Sequence, residues 1–393
     1  MYSYKFRLYP TKQQEQQLEW TRCSCIFVYN KLLEKLNSLD KEVSKKFGIV
    51  QHHIVELKEQ YPELKNIHSN TLQYENYKLF KSLKGLHNSK KNGNNVGHLH
   101  FCSRYKRMTY HYYNSVKLKE TNNRCKLLRL PKIGDIKVRC HRKVEGNISL
   151  VTVRKEINQW YVIIQTDKEY TKECNGNDIT AYDTNIGHLD DSDGNRIDVP
   201  LYYNKMLSKI KKRQQSLSRK KKGSNNRKKE KVKLNKLYRK INNQKIDFCN
   251  KLCYTLVNKN KIIFREDLNV SEMLSKKDKY ENKRNMSDAM WGLFWTTHEK
   301  YADATNGKSK NIKVNPAYTT QDCSDCGSRQ EMPLYKRWYD CPVCGLSLDR
   351  DYNSALVIKK RGLVIAQQLG FVEIEDTKSM KQEAHSKVFG GGS

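Results

Sequence analysis

Two Cys-x-x-Cys pairs, Cys323-Ser-Asp-Cys326 and Cys341-Pro-Val-Cys344, stand close together towards the end of the sequence. Each pair sets two thiolates on one tight turn, where both can reach one face of an ion. Two such turns supply the four sulfurs that a tetrahedral structural Zn²⁺ takes. The stretch between them, Gly327 to Asp340, is slightly shorter than usual for this pattern but long enough to fold the turns together. Two disulfides or four unrelated thiols are the weaker reading of the spacing. Four thiolates also close the coordination sphere, so the expected role is structural rather than catalytic.

A metal-bound ribbon of this kind is usually carried by something larger, and composition indicates the partner. Lys and Arg number 75 against 42 acidic residues, a net charge of +33 with a pI near 9.6. Such a field attracts polyanions and favours fast, salt-sensitive association with nucleic acid. No run of about eighteen apolar residues is present, so no membrane span is expected. The opening residues are too polar for a signal peptide. Twelve cysteines without a small-scaffold framework fit a reducing compartment. A length of 393 residues allows two or three domains with real cores.

Tyr2 to Tyr9 alternates as a strand ending at Pro10, and Thr11 with Gln14 predicts an N-cap and capping box. The helical pattern then runs to about Leu36 and recurs from Val50 to about Leu86, before a polar loop over Ser89 to Gly97. From His98 the texture turns to β: Phe101 to Val116, Cys125 to Leu130, Ile136 to Cys140, Ile148 to Val153 and Trp160 to Gln165. These runs predict a small barrel or sandwich. Tyr110, Tyr112 and Tyr113 either pack within it or stack on bases.

A second module begins near Asp178, with a strand from Ile179 to Tyr182, a hairpin turn at Asp193-Gly194 and a return strand from Arg196 to Val199. Asp190, Asp191 and Asp193 are not read as a calcium loop, because no Glu falls at the twelfth position from any of them. Tyr203 to Asn260 is basic and helical, broken at Gly223-Ser224-Asn225-Asn226. Arg219, Lys220, Lys221 and Lys222 before the break, and Arg227, Lys228 and Lys229 after it, meet few opposing acids and are expected to contact phosphates. A buried-type strand, Lys261 to Phe264, leads to Glu266. Ser271 to Arg284 is expected to be mobile, Met290 to Tyr301 helical, Ile312 to Val314 a strand, and a last helix follows Asp351.

Asp183, Glu266 and Asp351 occupy strand ends or a helix start, positions from which side chains converge across long sequence gaps in an α/β sheet. A carboxylate cluster suits Mg²⁺, and two such ions can activate water and steady the leaving oxygen of a phosphodiester. By spacing alone this triad is a weak signal, since any one acid of this kind is more often a cap or a surface group.

Five stretches match one family in order. They are Tyr4-Lys-Phe-Arg7-Leu-Tyr-Pro10-Thr11; Asp183 with Gly187 and the Ser192-Asp-Gly194 turn; Ser216-Leu-Ser-Arg-Lys with Gly223-Ser224 and Arg227-Lys-Lys229; Glu266-Asp-Leu-Asn269; and Cys323 to Asp351 with Asn353 and Ala355. They resemble, respectively, the opening strand and helix start, the first RuvC motif, the basic helical pair, the second RuvC motif, and the zinc ribbon with the third motif. The family is TnpB, transposon-encoded RNA-guided nucleases related to type V CRISPR effectors, with the eukaryotic and viral Fanzor branch equally similar.

The resemblance implies a multidomain α/β chain: an RNase H-like RuvC nuclease domain with an inserted zinc ribbon, preceded by a β-barrel (wedge) module carrying a helical recognition insertion. The ranges are 1–177 for the wedge with its insertion at about 11–97, 178–310 for the first RuvC part with the basic pair at 203–260, 311–347 for the ribbon, 348–372 for the last RuvC part, and 373–393 for a disordered tail. It also implies Asp183, Glu266 and Asp351 as catalytic acids holding two Mg²⁺ ions. The implied partners are a guide RNA, held between the N-terminal module and RuvC, and a double-stranded DNA target with its displaced strand, cut beside a short motif. Base pairing would carry sequence specificity while the protein reads shape and phosphates.

Thr184-Asn185 departs from the family's usual apolar residue and Gly, beside the first acid, and Ser354 stands where Ala is common. The alternatives are a nuclease-inactive RNA-guided repressor and a transposase-associated zinc-ribbon DNA-binding protein without a guide. The presence of all three acids argues against the first, and basic surface on both modules against the second. The expected location is cytoplasmic, with the nucleoid, in a prokaryote and nuclear in a eukaryote. Monomer and homodimer are both open.

Overall fold

The computed structural model describes residues 2–40, 46–103, 107–110, 116–119, 125–169, 171, 174–275, 280–333 and 335–372. They divide into two compact units, Met1–Tyr170 and Thr171–Ser393. The expectations for Tyr112, Tyr113, the Tyr110 side chain and the tail from Glu373 lie outside the described residues.

In the first unit, β1 (Tyr2–Tyr9) alternates as read, with Tyr4, Phe6 and Leu8 buried and their neighbours turned outward. It is the middle strand of a seven-stranded antiparallel sheet with β2 (Arg107–Tyr110), β3 (Lys117–Lys119), β4 (Lys126–Leu130), β5 (Gly134–Arg139), β6 (Ile148–Glu156) and β7 (Gln159–Thr166), in the order β2-β6-β7-β1-β5-β4-β3. Among the described residues no sheet closes, which corrects the expected barrel. Closure needs the two edge strands to pair along their length, and here the edges are the short β2 and β3, with 4 and 3 residues.

Helix α1 (Lys12–Ser38) starts at the expected capping box, Gln14 N donating to Thr11 Oγ1 at 3.3 Å and Thr11 N to Gln14 Oε1 at 3.0 Å. It serves two cores. Leu18 and Cys25 seat against the sheet, while Val28, Leu32, Leu33 and Leu36 pack with α2 (Lys46–Gln60) and α3 (Ser69–Lys91) around Ile54, Leu57, Leu72 and Leu79. The helical region expected from Val50 to Leu86 is two helices separated by a 3₁₀ turn at Pro62–Asn66, and α3 continues into the expected loop.

The second unit is built on a mixed sheet in the order β10-β9-β8-β11-β12. β8 (Asp178–Thr184), β9 (His188–Asp191) and β10 (Arg196–Asp198) form antiparallel hairpins, and β11 (Asn260–Glu266) and β12 (Lys310–Val314) run parallel to β8. Both faces are covered, which is why the central strands read as nearly continuous apolar runs. Tyr182 and Ile263 face α6 (Asn225–Lys259) and α9 (Trp291–Asp303) through Cys253, Leu256, Phe294 and Trp295. Ile179, Ala181, Ile262, Phe264, Ile312 and Val314 face Ile358 and Ala366 of α10 (Arg350–Gln368).

Helices α4 (Tyr202–Lys205) and α5 (Leu207–Ser218) lead into α6. Helices α7 (Val270–Ser275) and α8 (Tyr280–Asp288) overlap the stretch expected to be mobile. A two-stranded ribbon, β13 (Trp338–Asp340) with β14 (Ser347–Asp349), runs straight into α10. No helix among the described residues is long and apolar enough to cross a membrane.

Helix α10 lies so close to the sheet that a Cβ at Gly362 would overlap the Phe264 ring. Gly362→Ala should therefore cost about 2 kcal/mol by overpacking and lower the thermal unfolding midpoint. Gly85→Ala, in α3 with open space around it, should instead raise the midpoint slightly, by about 0.5–1 kcal/mol of helix propensity.

Candidate acid centre and zinc ribbon

Alternation along the central strands decides where the acids point. On β8, Ile179 and Ala181 face α10, so Asp183 does too; on β11, Ile262 and Phe264 carry the same face forward to Glu266. β8 and β11 are parallel with Tyr182 beside Arg265, so the next positions, Asp183 and Glu266, stand side by side. Asp351 arrives from the first turn of α10. Its N-cap Asp349 accepts backbone hydrogen bonds from Asp351 and Tyr352 at 2.9 and 3.1 Å. All three carboxylates are buried.

The three differ electrostatically. Burial raises the pKa of Asp183 well above the usual carboxylate range, and the charges of Glu266 and Asp351 push it further up. Burial also raises Glu266, against a 2.6 Å hydrogen bond donated by the Thr319 hydroxyl and the charge of Arg361. At Asp351 burial again pushes upward, but the bonds and charge of Arg350, at 2.9 and 3.1 Å, together with His188 outweigh it and hold the carboxyl low. Asp183 is thus crowded by like charge, a strain that a divalent cation would relieve.

Strand pairing brings further side chains to this centre, among them Asp190 and Asn185. Asp190 on β9 is directly opposite Asp183. Asn185 Nδ2 donates to Asp183 Oδ2 at 2.8 Å and to Asp190 Oδ2 at 3.2 Å, so the unusual Asn joins two acids. His188 Nε2 lies 3.2 Å from Asp190 and 3.4 Å from Asp351. Arg196 Nε donates to Asp190 at 2.6 Å and another of its nitrogens lies 3.7 Å from Asp351. Ligand atoms of His188, Asp190 and Asp351 fall within 4.8 Å of one another. The signal for Asp190 was the tight turn around Gly187, which folds β9 back along β8 and puts Asp190 on the face of Asp183. Asp267, by contrast, is exposed and paired with Lys313 at 3.1 Å.

The four cysteines come together as read. Cys323 Sγ lies 3.6 Å from Cys344 Sγ, Cys326 Sγ lies 3.6 Å from Cys341 Sγ, and all four sulfurs are within 4.8 Å of one another. Zn–S bonds of about 2.3 Å in a tetrahedron imply S···S edges of about 3.8 Å, whereas a disulfide would need about 2.0 Å. The donor set fits zinc. Gly327 and Gly345 follow the second cysteine of each pair at φ +78° and +75° and let the chain turn back under the sulfurs.

The basic pair splits into two kinds of residue. Ser224 caps α6, accepting from Arg227 N at 3.2 Å. The Arg227 guanidinium turns inward to the carbonyls of Leu217 and Lys220, so it closes the turn between α5 and α6. Arg219, Lys221, Lys222, Lys228 and Lys229 are exposed, and Lys220 is half-buried.

Three family models match the chain: OrfB_IS605 ("Probable transposase") over residues 150–277, the Cas12f1-like TNB domain over 296–358, and a helix-turn-helix domain over 1–42, where the structure has β1 followed by α1. A protein of Escherichia coli (strain K12), provisionally named RNA-guided DNA endonuclease InsQ, is 29% identical over 381 residues and covers 92% of each chain. TnpB-like protein L79 of Acanthamoeba polyphaga mimivirus is 34% identical over 135 residues, 33% of this chain and 25% of that one. The fold is similar to a cryo-EM structure of a Cas12f1–sgRNA–target DNA complex, with TM-score 0.54 at 16% identity over 88% of this chain and 81% of that chain. The chain is similar to OrfB_IS605 and TnpB-like proteins, which these matches share.

If the cysteine set holds zinc, purified protein should contain about one Zn²⁺ per chain. Cys341→Ser should release it and lower the unfolding midpoint, as should a strong chelator, with metal content read by inductively coupled plasma mass spectrometry.

Proposed function

We propose that the chain is an RNA-guided DNA endonuclease that cuts phosphodiester bonds at the acid centre. The observation that carries this reading is Asp183 and Glu266 side by side on one buried sheet face, with Asp351 near enough at the start of α10 for its charge to act on Asp183. The strand order, with three antiparallel strands followed by two parallel ones, supports an RNase H-like domain. The E. coli relative and the Cas12f1 complex support a guide RNA and a DNA target as partners.

Asp183, Glu266 and Asp351 would hold Mg²⁺, which when bound lowers the pKa of water and offsets charge on the scissile phosphate. The chain's own part is to fix and dry the centre. Asn185 orients Asp183, Thr319 orients Glu266, and Arg350 keeps Asp351 ionised. Arg196, its side chain 47% exposed, offers a cation to an incoming phosphate. Lys221, Lys222, Lys228 and Lys229 would track the nucleic-acid backbone while base pairing to the guide selects the target.

A guide-directed binder that does not cut is the second reading. One observation favours it: Asp351 is engaged by Arg350 on one oxygen and faced by His188 on the other.

With guide RNA, a matched target and Mg²⁺, the parent should cut DNA, while Asp183→Ala and Glu266→Ala should lose at least about a hundredfold in rate and still bind guide and target. Asp267→Ala should stay near the parent rate. A parent that binds target but never cuts would turn the reading to the non-cutting binder.

Replacing Lys221, Lys222, Lys228 and Lys229 together by Ala should weaken binding to all sequences and flatten the plot of log K against log salt, by up to about 0.7–0.9 for each phosphate no longer neutralised. Arg227→Ala should mainly lower stability, because its guanidinium holds the α5–α6 turn.

A further inference from the structure

We propose that the cysteine ribbon sets the geometry of the acid centre, with Asn353 and Thr319 as the positioning residues that carry the coupling. This rests on the reading of Asp351 and Glu266 as functional acids. Asn353 is fully buried, two residues beyond Asp351 on α10. Its Oδ1 accepts from Ser324 N at 2.9 Å and its Nδ2 donates to Asp322 O at 2.8 Å. Those backbone groups flank Cys323, so one side chain grips the first knuckle on both sides of a ligand cysteine.

Farther along α10 the grip is repeated. Lys360 Nζ donates to Ser324 O at 2.9 Å and Asp325 O at 2.7 Å, and Arg361 binds the Asp322 carboxylate at 2.6 Å. From the other knuckle, β14 runs into α10, and Arg350 N donates to Arg337 O at 2.9 Å. Both halves of the ribbon therefore bear on the turn that presents Asp351.

The same segment also reaches Glu266. Thr319, buried at 2% exposure, gives its hydroxyl proton to Glu266 Oε1 at 2.6 Å. Tyr318 O accepts from Gln321 N and Asp322 N, both at 3.0 Å, which joins this residue to the knuckle by a hydrogen-bonded turn. Backbone 319–325 thus steadies Glu266 at its start and the Asp351 turn at its end. Zinc held by Cys323, Cys326, Cys341 and Cys344 would fix that backbone. Groups that orient metal-holding side chains typically change metal affinity or activity by about 10–100-fold when removed, and small misplacements of reacting groups are costly.

The geometry also says which substitutions discriminate. Asn353→Ala removes both hydrogen bonds. Asn353→Asp keeps an acceptor for Ser324 N but sets an oxygen against Asp322 O. Thr319→Val keeps the shape and removes the proton donated to Glu266.

The test measures four quantities for each variant and the parent: zinc content, unfolding midpoint, Mn²⁺ affinity of the protein by electron paramagnetic resonance titration, and cutting rate of the guide-loaded protein at saturating target. We expect zinc to remain stoichiometric and the midpoint near the parent's. Mn²⁺ affinity and cutting rate should fall roughly tenfold or more in Asn353→Ala, and in the same direction in Asn353→Asp and Thr319→Val. Parent-like affinity and rate in Asn353→Ala and Thr319→Val overturn the proposal. Loss of zinc and folded protein in Asn353→Ala, with Thr319→Val parent-like, also overturns it, because the residue then serves only the fold. If Asn353→Ala does not fold, Asn353→Asp and Thr319→Val decide by the same readouts. Asp351→Ala keeps the two readings apart. If it still cuts, the acid assignment fails; if it stops cutting while Asn353→Ala is parent-like, only the coupling fails.

Discussion

Two carboxylates side by side on a buried sheet face are the constraint around which the second unit is arranged. The parallel register of β8 and β11 sets Asp183 beside Glu266, and β9 adds Asp190 opposite Asp183. Removing such charges from water costs several kcal/mol per ion unless partners compensate. The partners come from every neighbouring element: Asn185 and His188 from the first hairpin, Arg196 from the second, Thr319 from the segment before the ribbon, Arg350 from α10. An apolar residue at any of these acid positions would pack at less cost. The arrangement is therefore one that stability alone does not explain.

What was legible in the sequence follows from how local each signal is. The Thr11–Gln14 capping box, the alternation of β1 and the twin cysteine turns are read from a few adjacent residues, and the structure realises each of them. The three acids could be chosen from many only through family resemblance, because their meeting depends on strand order and register. Asp190, Asn185 and Thr319 escaped for the same reason: their partners lie across a hairpin or in a separate segment.

Other misreadings have similar causes. Alternation shows which face of a strand is buried but not whether the edge strands meet, so it leaves barrel and sandwich open, and the barrel that the resemblance implies is not formed by the described strands. A run of cations looks uniform in sequence, yet the carbonyls of Leu217 and Lys220 where α5 ends draw the Arg227 guanidinium inward, while Lys228 and Lys229 stay exposed.

The chain combines a net charge of +33 with an acid centre that is locally negative. The overall field draws a polyphosphate in, but the last few ångströms would set phosphate oxygens against Asp183, Glu266 and Asp190. Arg196 offsets part of that repulsion, and it is already paired with Asp190. A divalent cation between carboxylates and phosphate would offset the rest, so metal and nucleic acid should each strengthen the other's binding, by the same factor in both directions. Reciprocity of that kind would suit the proposed function, in which the exposed lysines would bind nucleic acid without regard to sequence. Phosphate contact alone would leave the buried acids under mutual repulsion, and the centre would be complete only when a backbone lies across it with the metal in place.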